Sequence, residues 1–588
     1  YKRPDMKNVK NYLLAGLGAM MLWSCSDDVD SSKGDDGLSF SGEGEMTINL
    51  KFAGADARTR AEDKWDTSDG GHFEEGEDDE STIKDVTIYY FSADGNNIYW
   101  GKGSGTFTTS DVTGTGNNVE QQVNVEVPVL VINKLSNSDE GANIIAVLNK
   151  TEELSNLENS LIPDADTYAD FNAKMQGADD AGFMMTSVNY FSNGKATYFN
   201  KITKKNVYQK GGDNTDKEVV DDIYVERVCG KVTLKKADQM KQPDNASVTI
   251  GQWGLNVRNT VFYPVKMLDD SFTKLTGDKW PGASIWTNTN AEGNHRSYWA
   301  KDPNYNDGDQ YSSTPGEENY PFSLIPFSNI ETSLNHTLYC LENTFDHTHQ
   351  NRDETTTAVL YAQFIPNGEK TSTLLPTNWK ENNWNTENKN TWVSSEGSPC
   401  SLAAFINQFF KNNNIYNNNS GADSPITASD IDFTYTAITN HEGKTIGGHN
   451  YEFTPKKTLY KQQGGTFNEV EGQTLSNLQE AFKKYFASAS IYINGYCYYE
   501  IPIRHFYNSE VPWNEGNELA NQEKHLGRYG IVRNHWYQLT INKINNPGKP
   551  IDKYEPTPDP DPDDKTSYYL DITIKVLSWA VRQQGVDL

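Results

Sequence analysis

Two polar clusters contain residue types that bind metal ions. His347 and His349 are separated by one residue, and imidazole is a common metal ligand. Their spacing matches no zinc motif, because such sites combine three or four ligands at characteristic intervals. The acidic runs 74–80 and 556–564 lack the glycine and ligand spacing of a calcium loop. We therefore predict solvated loops here, with no metal and no cofactor.

Enzyme motifs with a readable mechanism are missing from the sequence. It contains no G-x-S-x-G, H-E-x-x-H or P-loop pattern. Paired carboxylates for glycoside hydrolysis cannot be located in a sequence, because their separation in space decides their chemistry. We predict that the protein is not an enzyme.

Four cysteines lie far apart and show no C-x-x-C spacing: Cys229, Cys340, Cys400 and Cys497. Free cysteine is among the most buried residue types, so we predict buried thiols. One long-range disulfide remains an open alternative.

Cys25 differs from the others because it follows a short apolar run. Lys7 and Lys10 precede the apolar residues 12–23, which is the pattern of a secretory signal peptide. The run is shorter than the roughly 20 residues that a membrane-spanning helix needs. Ser24-Cys25 resembles the lipobox of bacterial lipoproteins, which implies a signal peptide over 1–25 and acylation of the Cys25 thiol. An ordinary signal peptide with an incidental cysteine is the alternative.

The net charge of −29 limits the choice of partners. Such a charge repels nucleic acid, and the chain has no basic cluster with interleaved aromatic residues. We therefore predict no nucleic-acid partner. The acidic residues directly after Cys25 resemble the surface-export signal of Bacteroidetes lipoproteins.

Strict alternation of apolar residues recurs along the chain and predicts an all-β protein. A chain of 588 residues favours two or more domains. The first alternating strand carries Met46, Ile48, Leu50 and Phe52 on one face. Two short amphipathic helices are predicted as packing elements. Their apolar faces comprise Leu402, Phe405, Ile406 and Phe409 in one helix, and Leu475, Leu478, Phe482 and Tyr485 in the other.

Composition changes suggest where the domains begin and end. Residues 26–60 form a flexible tether and the first strand, and 63–80 form an exposed acidic stretch. The run 227–234 reads as a strand that closes a first domain over 61–235. A second domain over 236–588 then follows a polar boundary segment.

The C-terminal segment 570–588 is strongly patterned for a strand. Leu570, Ile572, Ile574 and Val576 alternate on one face, and Leu577, Trp579 and Val581 continue with the opposite parity. This change of phase predicts either a β-bulge at Val576–Leu577 or a strand that changes which sheet it joins.

Several short motifs, in this order along one chain, resemble the fimbrillins of Bacteroidales, specifically the minor-fimbria (Mfa-type) shaft subunits of type V pili. Besides the lipobox at Cys25, they are residues 225–234 (VERVCGKVTL), 296–300 (RSYWA), 302–305 (DPNY), 339–344 (YCLENT), 501–505 (IPIRH), 530–541 (GIVRNHWYQLTI), 576–581 (VLSWAV) and 586–588 (VDL).

This resemblance implies two transthyretin-like β-sandwich domains with short helical insertions, and a route to a polymer. It implies an outer-membrane lipoprotein precursor, anchored transiently by its lipid and cut by an Arg-specific protease. The best matching bond is Arg60–Ala61, with Arg58–Thr59 as second choice.

Cleavage is expected to release the first strand, Met46 to Phe52, and to open a groove for a strand from another subunit. Backbone groups exposed in this way accept an added strand. The segment 570–588 is the expected donor, so identical or related subunits would join head to tail into an adhesive fimbria on the cell surface. A glycan-binding surface lipoprotein is the alternative function.

Overall fold

The computed structural model describes most of the chain between residues 38 and 580. The described residues are 38, 40, 42–52, 73–75, 80, 82–113, 120–188, 190–192, 195–213, 215–267, 300–305, 320–325, 329–330, 332–344, 352–368, 370–374, 390–395, 397–419, 425–439, 445–505, 529–551 and 570–580.

The described residues of the first part of the chain form short strands and three α-helices of four or more residues. The strands are β1 (Gly44–Phe52), β2 (Phe73–Glu75), β3 (Val86–Ser92), β4 (Tyr99–Thr113), β5 (Glu120–Val127), β6 (Ala142–Leu148), β7 (Met175–Gln176), β8 (Met185–Ser187), β9 (Tyr190–Ser192), β10 (Lys195–Thr197), β11 (Asn200–Ile202), β12 (Val207–Gln209) and β13 (Val220–Arg227). The helices are α1 (Val129–Ser136), α2 (Glu152–Glu158) and α3 (Tyr168–Phe171).

Most of these strands belong to one sheet, in the order β11-β6-β3-β4-β5-β1-β13-β8. β8 also pairs with β6, so the strands from β6 to β8 in this order form a closed series of hydrogen-bonded neighbours. The apolar side chains of β1, β3, β5 and β6 share one buried core. The alternation read from the sequence is therefore confirmed: one side of each of these strands faces this core.

The described residues of the second part of the chain form two larger sheets and several sheets of two or three strands. Its strands before an insertion are β14 (Cys229–Lys241), β15 (Ala246–Asn256), β16 (Arg258–Asn259), β17 (Val261–Phe262), β18 (Phe322–Ser323), β19 (Thr337–Leu341) and β20 (Thr357–Pro366).

The insertion separates β20 from the remaining strands. Its elements are β21 (Trp392–Ser395), β22 (Ser398–Ser401), α4 (Leu402–Asn412), β23 (Ile415–Tyr416), β24 (Ile431–Thr439), β25 (Thr445–Pro455), β26 (Tyr460–Gln463), β27 (Thr466–Glu469), α5 (Gly472–Ala487) and β28 (Ser490–Tyr492). The last strands are β29 (Tyr496–Pro502), β30 (His535–Ile544), β31 (Lys549–Pro550) and β32 (Leu570–Ala580).

One core lies between these two sheets, whose orders are β19-β14-β30-β32-β2 and β15-β20-β29-β31. Val232 and Leu539 enter the core from the sheet that contains β14 and β30. Trp253 and Leu360 enter it from the sheet that contains β15 and β20. The run 227–234, predicted as one strand, contains the end of β13 in the first sheet and the start of β14 in another sheet. Val232 and Leu234 contact side chains far along the chain, which local composition does not reveal. Below, the first sheet with its core is called the first domain, and the sheets of β14 and β15 with their core are called the second domain.

The insertion builds a hydrophobic core of its own. Phe405, Phe409, Phe433, Phe482 and Phe486 pack together there. The faces predicted for both helices are confirmed, although in α5 the fully buried aromatic residue beside Phe482 is Phe486 rather than Tyr485. The insertion begins and ends at neighbouring strands, because β21 and β28 pair with each other. At this junction the Trp392 and Tyr492 rings stack with centroids 4.0 Å apart.

We expect the rest of the protein to fold without this insertion. Ser394 and Ser490 are direct antiparallel partners, so Asn-Gly in place of 395–489 would close a two-residue hairpin. The shortened chain should keep its β-sheet circular dichroism, with its free energy of unfolding within about 1 kcal/mol of the full protein. A shortened chain that aggregates would show that the three cores depend on one another. As a control, Trp392→Ala in the full chain should be destabilising, by about 3–5 kcal/mol, because Trp392 belongs to the second-domain core.

Candidate functional site

β1 occupies a central position in the first sheet. It pairs antiparallel with β5 from Gly44↔Val127 to Lys51↔Glu120. On its other edge it pairs parallel with β13 from Ile48↔Val220 to Phe52↔Val225. Both edges of β1 are therefore hydrogen-bonded.

The two faces of β1 differ in chemistry. Met46, Ile48 and Leu50 are fully buried in the core. On the other face, Asn49 Nδ2 donates to Asp222 Oδ1 at 2.6 Å, and Lys51 Nζ lies 2.6 Å from Asp222 Oδ2. The side chain of Phe52, the fourth residue of the predicted face, is outside the described residues.

Removing β1 would be costly for the isolated subunit. Burial of three large apolar side chains contributes roughly 5–9 kcal/mol. The backbone groups of β5 and β13 that pair with β1 would also lose their partners, and unpaired backbone groups favour addition of another strand. A groove vacated by β1 would therefore bind an extended segment with alternating apolar residues.

The chain after β1 runs to the other domain. The predicted lipid-bearing Cys25 and the bonds Arg58–Thr59 and Arg60–Ala61 are outside the described residues. Beyond them, β2 pairs parallel with β32 of the second domain, from Phe73↔Ser578 to Glu75↔Ala580. The predicted cleavage bonds thus lie in sequence between a strand of the first sheet and a strand of the second.

Glu80 fixes the end of this segment in the second domain. Its carboxylate lies 2.8 Å from Lys231 Nζ and accepts a hydrogen bond from Tyr339 Oη at 2.5 Å. Arg227 Nε donates to the Glu80 carbonyl at 3.1 Å. The side chains of Glu80 and Lys231 are each only 1% exposed.

For Glu80, the prediction of an exposed acidic stretch is therefore wrong. Both members of such a buried ion pair must be present, because an unpaired buried charge destabilises the fold. One feature of the sequence could have indicated that an acidic residue is buried here. Lys231 stands among apolar residues of a strand, and a buried lysine requires an acidic partner.

The C-terminal strand β32 lies within the second domain of its own chain. It pairs antiparallel with β30 from Ile544↔Leu570 to His535↔Ser578. Ile574 is buried in the second-domain core, and Leu570 and Ile572 pack against it. The predicted donor residues Val576, Leu577 and Trp579 belong to β32, although their side chains, and Val581, are outside the described residues.

The bulge predicted at Val576–Leu577 is wrong. Both residues pair in continuous register, with Tyr537 and Trp536 respectively. The irregularity lies instead in the partner strand, between Ile541 and Lys543.

Four of the motifs singled out in the sequence meet where the two domains join. Arg227 donates from its backbone and its Nη1 to Asn534 Oδ1, both at 3.3 Å. Arg533 Nε donates to Glu342 Oε2 at 2.9 Å, and its Nη1 donates to the Pro264 carbonyl at 3.2 Å. These motifs therefore form a buried polar network at the junction.

Apolar residues of both domains surround this network. Tyr89, Phe91 and Phe171 of the first domain share a cluster with Phe262 and Leu341 of the second. A two-residue pairing of β7 with β17 adds backbone contact between the domains. The junction is therefore packed like a core.

Asp302 lies in the same network and is fully enclosed. Its carboxylate accepts hydrogen bonds from Asn259 Nδ2 at 2.6 Å, Asn304 Nδ2 at 2.7 Å and the Thr344 amide at 2.9 Å. Burial nevertheless raises the pKa of Asp302 to about 7, because desolvation of the charged form outweighs these hydrogen bonds.

The pKa of Asp302 makes stability depend on pH. An unfolded aspartate has a pKa of about 3.9, so between about pH 4 and pH 7 the folded protein holds a proton that the unfolded chain has lost. The free energy of unfolding should therefore fall by up to about 4 kcal/mol as pH rises through this window. Denaturant unfolding at several pH values would show it, and Asp302→Asn should remove this slope. If plots of unfolding free energy against pH ran parallel for the wild type and Asp302→Asn, a raised pKa of Asp302 would be contradicted.

The four cysteines among the described residues are free thiols, as the sequence predicts. Cys229, Cys340 and Cys497 are buried, and Cys400 is partly exposed. Burial raises the pKa of Cys229 to about 12 and that of Cys497 to about 11, so neither thiol is activated.

Among the described residues, no group of three or more His, Cys, Asp or Glu is arranged to hold a metal ion. His347 and His349 are outside them. Within the same residues, no helix combines the length and the apolar composition needed to cross a membrane.

The observed site thus defines a mostly β-stranded protein whose first strand completes a sheet and whose last strand lies in another. Residues 490–585 match the family described as major fimbrial subunit protein type IV, fimbrillin, C-terminal. The resemblance to the fimbrillins predicted from the sequence is confirmed by this segment. No curated protein matches the sequence.

Three solved bacterial proteins show low similarity to this chain. A candidate cell adhesion protein from Parabacteroides distasonis is 11% identical, with a TM-score of 0.35 over 92% of this chain and 98% of its own. A fimbrilin from Porphyromonas gingivalis W83 is 10% identical, with a TM-score of 0.34 over 92% and 98%. The tip fimbrial protein Mfa3 from Porphyromonas gingivalis is 9% identical, with a TM-score of 0.27 over 91% and 100%.

Proposed function

We propose that this protein is a structural subunit of a bacterial surface fimbria that polymerises by exchange of a β-strand. The position of β1 carries the proposal. It fills the middle of the first sheet with three fully buried side chains, yet it is joined to the rest of the chain by a segment that contains Arg58 and Arg60.

Cleavage at Arg60–Ala61 separates β1 covalently from the rest of the subunit. The strand is then held only by non-covalent contacts, and its loss opens the groove between β5 and β13. A strand from a neighbouring subunit satisfies the same backbone groups and fills the same core positions. Each subunit thus accepts one strand and donates another, and this head-to-tail contact builds a filament.

The C-terminal segment 570–588 is the donor in this proposal. It alternates as β1 does, and its first half remains attached to its own core through Ile574. Its position in the subunit of origin requires that its outer end leaves β30 before it enters another groove. We assign the shaft rather than the tip of the fimbria to this protein, because a tip subunit needs no donor.

Delivery to the surface follows from the N-terminal segment. Acylation of Cys25 would anchor the precursor in the outer membrane, since several acyl chains together give durable binding. Cleavage after Arg60 would then release the subunit from this anchor at the same step that opens its groove. Adhesion is the function of the assembled fimbria.

The test is polymerisation after controlled cleavage. The Cys25→Ala precursor should be cut near residue 60 by an Arg-specific protease and should then form ladders of high mass on an unboiled gel. Arg58→Ala/Arg60→Ala should block both events. Removal of 577–588 should leave cleavage intact and abolish the ladders, because 570–576 keep the packing of β32 on its own core.

Clean cleavage that leaves only monomers in the wild type would contradict the proposal. Ladders that persist without 577–588 would contradict the assignment of the donor.

A further inference from the structure

β2 covers the outer edge of the C-terminal strand. In the sheet order β19-β14-β30-β32-β2, β32 lies between β30 and β2. Without β2, β32 would be the outermost strand, with its free backbone groups available to any other chain.

The two ends of β32 are held in different ways. Its first half is fixed by side-chain packing, since Ile574 is buried in the core with Leu570 and Ile572 against it. The register with β30 ends at Ser578, whereas the register with β2 continues to Ala580. Within the described residues, β2 is therefore the strand that holds the outer end of β32.

β2 is itself attached to the second domain. Five residues after it along the chain, Glu80 forms its buried ion pair with Lys231 of β14 and accepts from Tyr339 of β19. Both partners belong to the same sheet as β32. Cleavage at Arg60–Ala61 would free β1 from the chain but leave β2 and Glu80 on the mature subunit.

We propose that β2 is a retaining strand, which keeps the donor end of the C-terminal strand on its own subunit until an open groove is offered. This inference rests on the proposed function. The retaining strand covers the edge that would otherwise pair with unrelated strands, and it sets the rate at which a cleaved subunit can donate. Only three residue pairs join β2 to β32. A donor strand in the groove would form more pairs with β5, as β1 does, so loss of the contact with β2 is favourable.

Proline substitution removes the backbone donors of β2, because proline has no N–H group. The backbone N–H groups of alternate residues in a strand point toward the same neighbouring strand. Two variants therefore cover both sets of N–H groups: Glu74→Pro, and Phe73→Pro with Glu75→Pro. Glu74→Gln is the matched control, since it changes the same side chain and keeps the backbone amide. All are made in the Cys25→Ala precursor.

Hydrogen exchange of the uncut precursor tests the contact without any polymerisation. Amides of 577–580 should exchange roughly tenfold faster in at least one proline variant than in Glu74→Gln, while those of 570–574 stay protected. After cleavage, the same variant should form ladders several-fold sooner than the control.

Three results would separate the retaining strand from the fimbrial function. Unchanged exchange of 577–580 in both proline variants would overturn the retaining strand. Faster exchange with an unchanged rate of ladder formation would overturn its regulatory role. Faster exchange with no ladders from any protein, the wild type included, would support the contact and contradict the proposed function.

Discussion

Ile48→Ala should destabilise the precursor by about 2–5 kcal/mol and leave the assembled polymer unchanged. Ile48 is fully buried, so truncation to alanine leaves a cavity in the core of the first sheet. In the polymer, however, β1 has been expelled, and another strand occupies its position. The variant should therefore lower the denaturant midpoint of the precursor but not the temperature at which ladders dissociate on a gel.

Ile88→Ala is the matched control for this experiment. Ile88 of β3 has the same side chain, is equally buried and belongs to the same core, but it stays in the subunit after cleavage. It should therefore destabilise the precursor and the polymer alike. If Ile48→Ala weakened the polymer as much as Ile88→Ala does, β1 would be a permanent strand and strand exchange at this position would be refuted.

Arg533→Met should destabilise the protein by about 3–5 kcal/mol, because it leaves the Glu342 carboxylate buried without its partner. Arg533 also donates to the carbonyls of Tyr263 and Pro264, which fixes a loop beside the interdomain pairing of β17 with β7. The free energy of unfolding from denaturant titration measures the loss. Limited proteolysis should show the two domains loosened at the same time.

A double variant separates the lost ion pair from lost packing. Arg533→Met with Glu342→Met should recover part of the stability, since no unpaired charge then remains. The partly exposed pair Lys483–Glu452, whose atoms lie 3.0 Å apart, is the control, and Lys483→Met should cost no more than about 1 kcal/mol. Equal losses from Arg533→Met and Lys483→Met would show that the junction network is as weak as a surface pair.

Periodicity in the sequence predicted the elements that bury one face. β1 and the helix α4 have the faces expected of them, because burial on one side requires a period of two in a strand and about 3.6 in a helix. The candidate strands at both ends were recognisable for the same reason.

Long-range pairing could not be predicted in the same way. Cys229 to Leu234 read as the end of one domain, but its partners are strands more than a hundred residues further along the chain. Glu80 lies in an acidic run that is typical of a solvated surface, and only the position of Lys231 shows that it is buried. The insertion core likewise depends on contacts between segments that carry no common pattern.

The most direct test of strand exchange separates acceptor from donor. Protein that lacks 577–588 and has been cut near residue 60 can only accept a strand, whereas uncut Arg58→Ala/Arg60→Ala protein can only donate one. Neither should assemble alone, and an equimolar mixture should give one heterodimer band that resists detergent without boiling. A mixture that stays monomeric, or that forms longer ladders, would contradict exchange between the C-terminal segment and the groove of β1.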